Sequence, residues 1–87
     1  RAEINNLPLN ALRGPFDLIL ANLRPSTLLD VFPYLSRLCA GNGHMILSGF
    51  RPGEDGLLAR VYASAGFVTI WEETEKDWKG LALNKPA

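Results

Sequence analysis

Short continuous apolar runs alternate along this chain with stretches whose apolar residues recur every three or four positions. Phe16–Ala21 is a run rich in Leu and Ile that stops at the polar amide of Asn22. A run this short reads as a strand buried on both faces of a parallel sheet. Pro25, Ser26 and Thr27 then mark a helix start. Leu28, Val31, Phe32, Leu35, Leu38 and Cys39 form one apolar helical face. Pro33 removes a backbone donor inside that pattern and crowds the preceding turn, which predicts a kink or two short helices. Gly41-Asn42-Gly43 is expected to end the helix, because these residues tolerate the left-handed backbone of a helix stop.

His44–Leu47 is a second apolar strand, ending at Ser48 and Gly49. Arg51–Asp55 opens a second helix, with Glu54 and Asp55 near its positive end. Leu57, Leu58, Val61, Tyr62 and Ala65 supply its expected buried face, and Gly66 its stop. Phe67–Trp71 is strand-like by its aromatic and β-branched content. Glu72–Asp77 reads as a charged turn and Trp78–Leu83 as a last strand, which predicts an antiparallel hairpin. Residues 1–14 read as an irregular lead-in, since Asn5, Asn6, Pro8, Asn10 and Gly14 favour turns. Ala2–Ile4 within it has the character of a strand tail. The expected fold is therefore α/β: two parallel strands with helices, then an antiparallel pair. The right-handed crossover rule, together with the family resemblance carried by the motifs below, implies a sheet order with Phe16–Ala21 beside His44–Leu47, Trp78–Leu83 next, and Phe67–Trp71 at the edge.

Composition narrows the function. The 87 residues suffice for one small domain of modest stability. Nine basic and nine acidic residues cancel, which argues against a general nucleic-acid binder, since that needs a basic footprint. The single Cys39 excludes an internal disulfide and reads as a buried thiol. No apolar run reaches membrane-spanning length and no signal peptide is visible, so the cytoplasm is the default compartment. No metal site is expected.

The candidate chemistry lies at the strand ends, because ligands of open α/β sheets bind beyond the carboxyl ends of strands. Asn22 is the first candidate; its structural alternative is a turn residue that satisfies local backbone. Ser48 is the second, with a helix or turn cap as its alternative. His44 begins its strand away from that edge and reads as a solvated residue. Trp71 and Trp78 read as packing within the hairpin.

The ordered set Asp17 through Ala21-Asn22-Leu23, Leu28-Leu29, Pro33, Gly41-Asn42-Gly43, Leu47-Ser48-Gly49-Phe50, Ala65-Gly66-Phe67 and Trp78 resembles the second half of a class I, Rossmann-like methyltransferase that uses S-adenosylmethionine. Within that class it is most similar to the bacterial methyltransferases of a large-subunit ribosomal protein. The resemblance covers residues 15–85. It implies methyl transfer to an amine of a protein substrate, with Asn22 as the catalytic amide. Asn22 and Leu23 would contact the cofactor, and Arg24 and Ser48 would face the substrate. Arg24 stands where the ribosomal-protein enzymes have an aliphatic residue, and Pro25 where a small one is common. The family's glycine-rich loop and ribose-binding acid would precede Arg1. The chain is thus expected to be the carboxyl-terminal portion of that fold, to bind the cofactor weakly or not at all, and to be inactive alone.

Two further expectations follow. In the family the first strand covers the strand matched by Phe16–Ala21. With that strand absent, residues 16–21 should present a bare edge. The edge should recruit a second copy or the missing half, because Ala2–Ile4 is too short to cover it. The competing reading is a receiver-like signalling module, with Asn22 in place of the phosphoacceptor Asp, Ser48 as switch hydroxyl, and Lys85-Pro86 as the terminal pair. A non-catalytic α/β binding fragment is the third.

Overall fold

The computed structural model describes residues 1–6 and 12–87. Among the described residues five strands and three helices follow one another as β1 (Ala2–Ile4), β2 (Phe16–Asn22), α1 (Pro25–Asp30), α2 (Phe32–Leu38), β3 (Cys39–Phe50), α3 (Asp55–Ser64), β4 (Val68–Glu75) and β5 (Trp78–Asn84). They form one sheet of order β1-β2-β3-β5-β4. β1, β2 and β3 run parallel, and β5 is antiparallel to both β3 and β4. The expected order of the last four strands is the observed one.

Pro33 acts as the sequence predicts. α1 ends at Asp30, Val31 leaves helical geometry, and α2 restarts with Pro33 in its first turn, where the missing N–H costs nothing. Leu28 and Leu35 of this pair are buried, as are Val31 between the helices and Cys39 just after them, all on the predicted face. α2 stops at Leu38 rather than at the glycines. Cys39 is already extended, and Gly41-Asn42-Gly43 lies within β3, with Asn42 at φ 64°. There the Asn42 N–H donates to the Lys85 carbonyl (2.7 Å) and the Lys85 N–H to the Gly43 carbonyl (2.9 Å). Lys85 Nζ also donates to the carbonyls of Ser36 (2.6 Å) and Cys39 (2.9 Å), satisfying the end of α2.

α3 buries Leu58 and Tyr62, half-buries Val61, and leaves Leu57 and Ala65 exposed, so its buried face is narrower than predicted. It ends at Gly66, whose φ of 93° is the left-handed conformation that favours glycine. The Tyr62 hydroxyl donates to the Leu28 carbonyl at 2.8 Å, and its ring meets Phe32 and Phe67 edge-on. This side chain locks α3 to α1.

Three expectations need correction. Glu72–Asp77 is not a turn: Glu72–Glu75 extend β4, and Lys76-Asp77 alone connects the hairpin, with Lys76 at φ 55°. A two-residue hairpin connection requires a positive φ, and an edge strand exposed to water tolerates the charges. Residues 1–14 are not wholly irregular, since Ala2–Ile4 is β1; Pro8 and Asn10 lie outside the described residues. Finally, the Phe16–Ala21 edge is not bare. Ala2, Glu3 and Ile4 pair with Ile19, Leu20 and Ala21. Burial of Ala2 and Ile4 against the core offsets the cost of ordering so short a strand. β1 thereby takes the position that the resemblance assigns to the family's first strand.

Candidate functional site

At the carboxyl end of β2, Asn22 is the register partner of Ser48, and β3 runs two residues further to Phe50. The Leu23 N–H donates to the Ser48 carbonyl at 3.1 Å, carrying the ladder one residue further. Arg24 then serves as N-cap of α1 in extended geometry, and Pro25 opens the helix. On β3 the next residue is Gly49, at φ 101°. A Cβ there would lie 2.5 Å from Asn22 Oδ1 and 2.9 Å from the Leu23 carbonyl oxygen. Conformation and space both exclude a side chain, so the Asn22 amide rests against bare backbone.

Asn22 and Ser48 line two cavities at once. One, of about 370 Å³, continues to Glu3, Asn5, Leu20 and Ile46 on the β1 side. The other, of about 420 Å³, continues to Arg24, Gly49, Trp78 and Lys79 on the β5 side. Beyond the second lies a further cavity of about 380 Å³ bounded by Arg24, Arg51, Glu54 and Trp78.

The electrostatics of the β5 side centre on Lys79. Its ammonium lies 2.8 Å from Asp55 Oδ2, at the start of α3, and 3.3 Å from Glu72 Oε1 on β4. The hydrogen bond that Lys79 donates to Asp55 holds Lys79 above its ordinary range and the Asp55 carboxyl below its own. Lys79 is therefore a fixed cation that ties three elements together at the cavity wall. It is not a base. The Cys39 thiol is buried, which pushes its pKa up and leaves it unreactive.

Asn22, Leu23, Arg24 and Ser48, singled out in sequence, come together around these cavities. Ser48 caps no helix: it sits in β3 between Asn22 and Gly80, and α3 is capped at Glu54. His44 is exposed and lies opposite Leu18 and Asn84, away from the site. Trp78 is 57% exposed and fronts the cavities instead of packing within the hairpin. Gly49, Arg51 and Lys79 were not singled out. Gly49 alone had a local signal, as a glycine directly after a strand-end serine; the other two reach the site only through the turn before α3 and the register of β5.

The receiver-like constellation does not form. That reading needs β4 parallel beside β3, and β5 lies there, antiparallel. Lys85 pairs beside Gly43, five residues down β3 from Ser48, or roughly 17 Å at the rise of a strand. Among the described residues no group of His, Cys, Asp and Glu could hold a metal, and no helix is long and apolar enough to cross a membrane.

No family model matches the chain. A ribosomal protein L11 methyltransferase of Moorella thermoacetica is 32% identical over 74 residues, 85% of this chain and 23% of the relative. Another, from Rhizobium johnstonii, is 34% identical over 76 residues, 84% of this chain and 25% of the relative. The chain thus spans about a quarter of the length of these curated relatives. The crystal structure of ribosomal protein L11 methylase from Lactobacillus delbrueckii subsp. bulgaricus superposes with a TM-score of 0.81 at 29% identity, over 91% of this chain and 41% of that one. In sequence and in fold, the chain is similar over nearly its whole length to ribosomal protein L11 methyltransferases, and it fits the carboxyl-terminal part of such an enzyme.

Proposed function

We propose that this chain is the acceptor-side portion of an S-adenosylmethionine-dependent N-methyltransferase whose substrate is an amine of a ribosomal protein. The observation that carries this reading is that Asn22 and Ser48 line both the β1-side and the β5-side cavities. A two-substrate transfer needs two sites that meet at one point, and these two strand ends are where the cavities meet.

The donor set of the β1-side cavity fits part of such a cofactor. The Asn22 amide and the polar groups of Glu3 and Asn5 surround an apolar floor of Leu20 and Ile46. Asn22 and the backbone at Leu23 would hold the amino-acid portion, and the missing Cβ at Gly49 keeps the Asn22 amide unobstructed. When bound, S-adenosylmethionine supplies an activated methyl group on its sulfonium. Asn22 Oδ1 can accept an N–H of a neutral amine and point its lone pair inward. An amide cannot remove a proton, so Asn22 orients the acceptor and leaves the proton to solvent. Arg24 and Ser48 flank the acceptor approach. These residues hold only part of the cofactor, so the chain alone binds it weakly and does not sustain transfer.

The test uses the complete protein and this chain in parallel. Asn22→Ala in the complete protein should lower methyl transfer about 10²-fold while leaving urea unfolding nearly unchanged. An unchanged rate removes Asn22 from the site. Calorimetric titration of this chain with S-adenosylmethionine should show no binding tighter than millimolar; micromolar binding would mean that the site is built from these residues alone.

A further inference from the structure

β4 is the edge strand at the end of the sheet opposite β1. Every one of its residues is exposed, so its ladder to β5 holds it with little help from side-chain burial. Among the described residues no loop or side chain caps its outer edge. In a strand paired on one side only, every second residue turns its N–H and C=O outward, where water alone meets them. Val68, Ile70 and Trp71 are each about half exposed, which sets three large apolar side chains within four residues of this edge.

Charge gives the edge a direction. Glu72, Glu73, Glu75 and Asp77 are four of the chain's nine acidic residues, so a chain without net charge has one acidic end. Lys79 neutralises Glu72, but Glu73 and Glu75 form no ion pair among the described residues. Beyond the bulge at Ile70, Trp71, Glu73 and Glu75 stand opposite Ala82, Gly80 and Trp78 in unbroken register. They therefore point to one face of the sheet at a spacing of two, an apolar residue followed by two carboxylates.

This pattern selects against a second copy. Two β4 strands paired antiparallel over their full length would set Val68 against Glu75 and Trp71 against Glu72. Sliding them until the apolar halves meet would leave only Val68–Trp71 of each strand in the pair. A strand of opposite charge meets neither obstacle, because opposite charges across a ladder attract and like charges repel.

We infer that the outer edge of β4 is a docking surface that takes up an extended basic segment of another protein as a sixth strand. In antiparallel addition the segment carries Lys or Arg at two alternate positions, opposite Glu75 and Glu73, followed by an apolar residue beside Trp71. The surface lies across β5 from the candidate site and does not depend on the methyltransferase reading.

The probes are two capped heptapeptides, Lys-Thr-Lys-Thr-Val-Thr-Val and the same peptide with Glu for both Lys. Each is titrated into the 87-residue chain while the Trp71 indole N–H is followed by NMR, and amide exchange of β4 is read at the highest peptide concentration. The Lys peptide should bind about tenfold tighter than the Glu peptide at low salt, and the difference should shrink as salt rises. Alternate β4 amides should exchange several-fold more slowly with the Lys peptide present, which contact through charge alone would not produce. Glu73→Gln/Glu75→Gln should abolish the preference. Trp71→Thr, which keeps a strand former, should weaken both peptides. These three residues are exposed, so the substitutions leave the core intact. Equal affinity for the two peptides, a preference that survives in the Gln variant, or unprotected β4 amides would each overturn the surface. So would sedimentation of the chain alone as a dimer with β4 protected, which would put a second copy on the edge.

Discussion

Leu47 and Ile46 are neighbours on β3, and only one of them is buried. Leu47 shares a row across the sheet with Ile4, Ala21 and Leu81, and all four are buried. Leu28, Leu35, Leu58 and Tyr62 of the helices join the same cluster. Ile46 shares the next row with Glu3, Leu20, Ala82 and Trp71. That row is open: Ile46 is 37% and Trp71 51% exposed. Both faces carry apolar residues, yet the three helices cover only one. An apolar run in a strand thus states that both faces are suited to burial. It does not say what does the covering. The open face also ends at Asn22 and Ser48, so the candidate site sits at the rim of the uncovered side.

The largest effect that would separate the two faces is a truncation on each. Leu47→Ala should cost about 2–5 kcal/mol, a large share of the stability of a small domain. Ile46→Ala, one residue away, should cost about 1 kcal/mol or less. Urea unfolding of the two variants checks this. Similar losses would show that the open face is also packed in solution.

A smaller effect belongs to the polar tie within the covered face. Tyr62→Phe leaves the Leu28 carbonyl without its hydroxyl partner and should cost about 1–3 kcal/mol. Thermal unfolding reads it directly, and no loss would place water or another donor at that carbonyl.

At the rim, Gly49→Ala should cost about 1–2 kcal/mol from its left-handed backbone alone. The added methyl also meets Asn22 Oδ1. The side-chain amide resonances of Asn22 should therefore shift markedly, more than those of Asn84. Unmoved Asn22 signals would mean that the amide does not rest on Gly49.

The smallest effect is the pH dependence of the Lys79–Asp55 pair, whose side chains are 14% and 17% exposed. The Asp55 carboxyl is depressed in the folded protein, so its contribution is present above the unfolded value of 3.8 and is lost as pH falls through the folded value. Lys79 is raised, so its contribution is complete below 10.5 and fades as pH rises through its folded value. The Tm difference between the protein and Asp55→Asn should be steady near pH 7 and shrink below pH 4. A difference that persists unchanged at pH 2 would assign it to packing.

Much of this was readable along the chain. The strand at 16–21, the break at Pro33, the stop at Gly66 and the final hairpin all rest on local periodicity or on residues with restricted backbones. The pairing of Asn22 with Ser48 was legible in outline, because each ends an apolar run. The rest was not. Arg51 and Lys79 border the site through a turn and an antiparallel register, and neither has a local signature. Ala2–Ile4 read as strand-like, but its pairing escaped, because three residues carry no period and the pairing depends on an edge supplied elsewhere in the chain.

The sequence by itself determined the order of strands and helices and most of their positions, since spacing, proline and glycine act on the backbone within a few residues. Tertiary structure alone decided that Glu72–Glu75 extend β4, that Ala2–Ile4 closes the β2 edge, and that Gly49 stands bare against Asn22. Those outcomes depend on contacts between distant residues competing for the same buried area and the same unpaired backbone groups, and no local pattern encodes the winner of that competition.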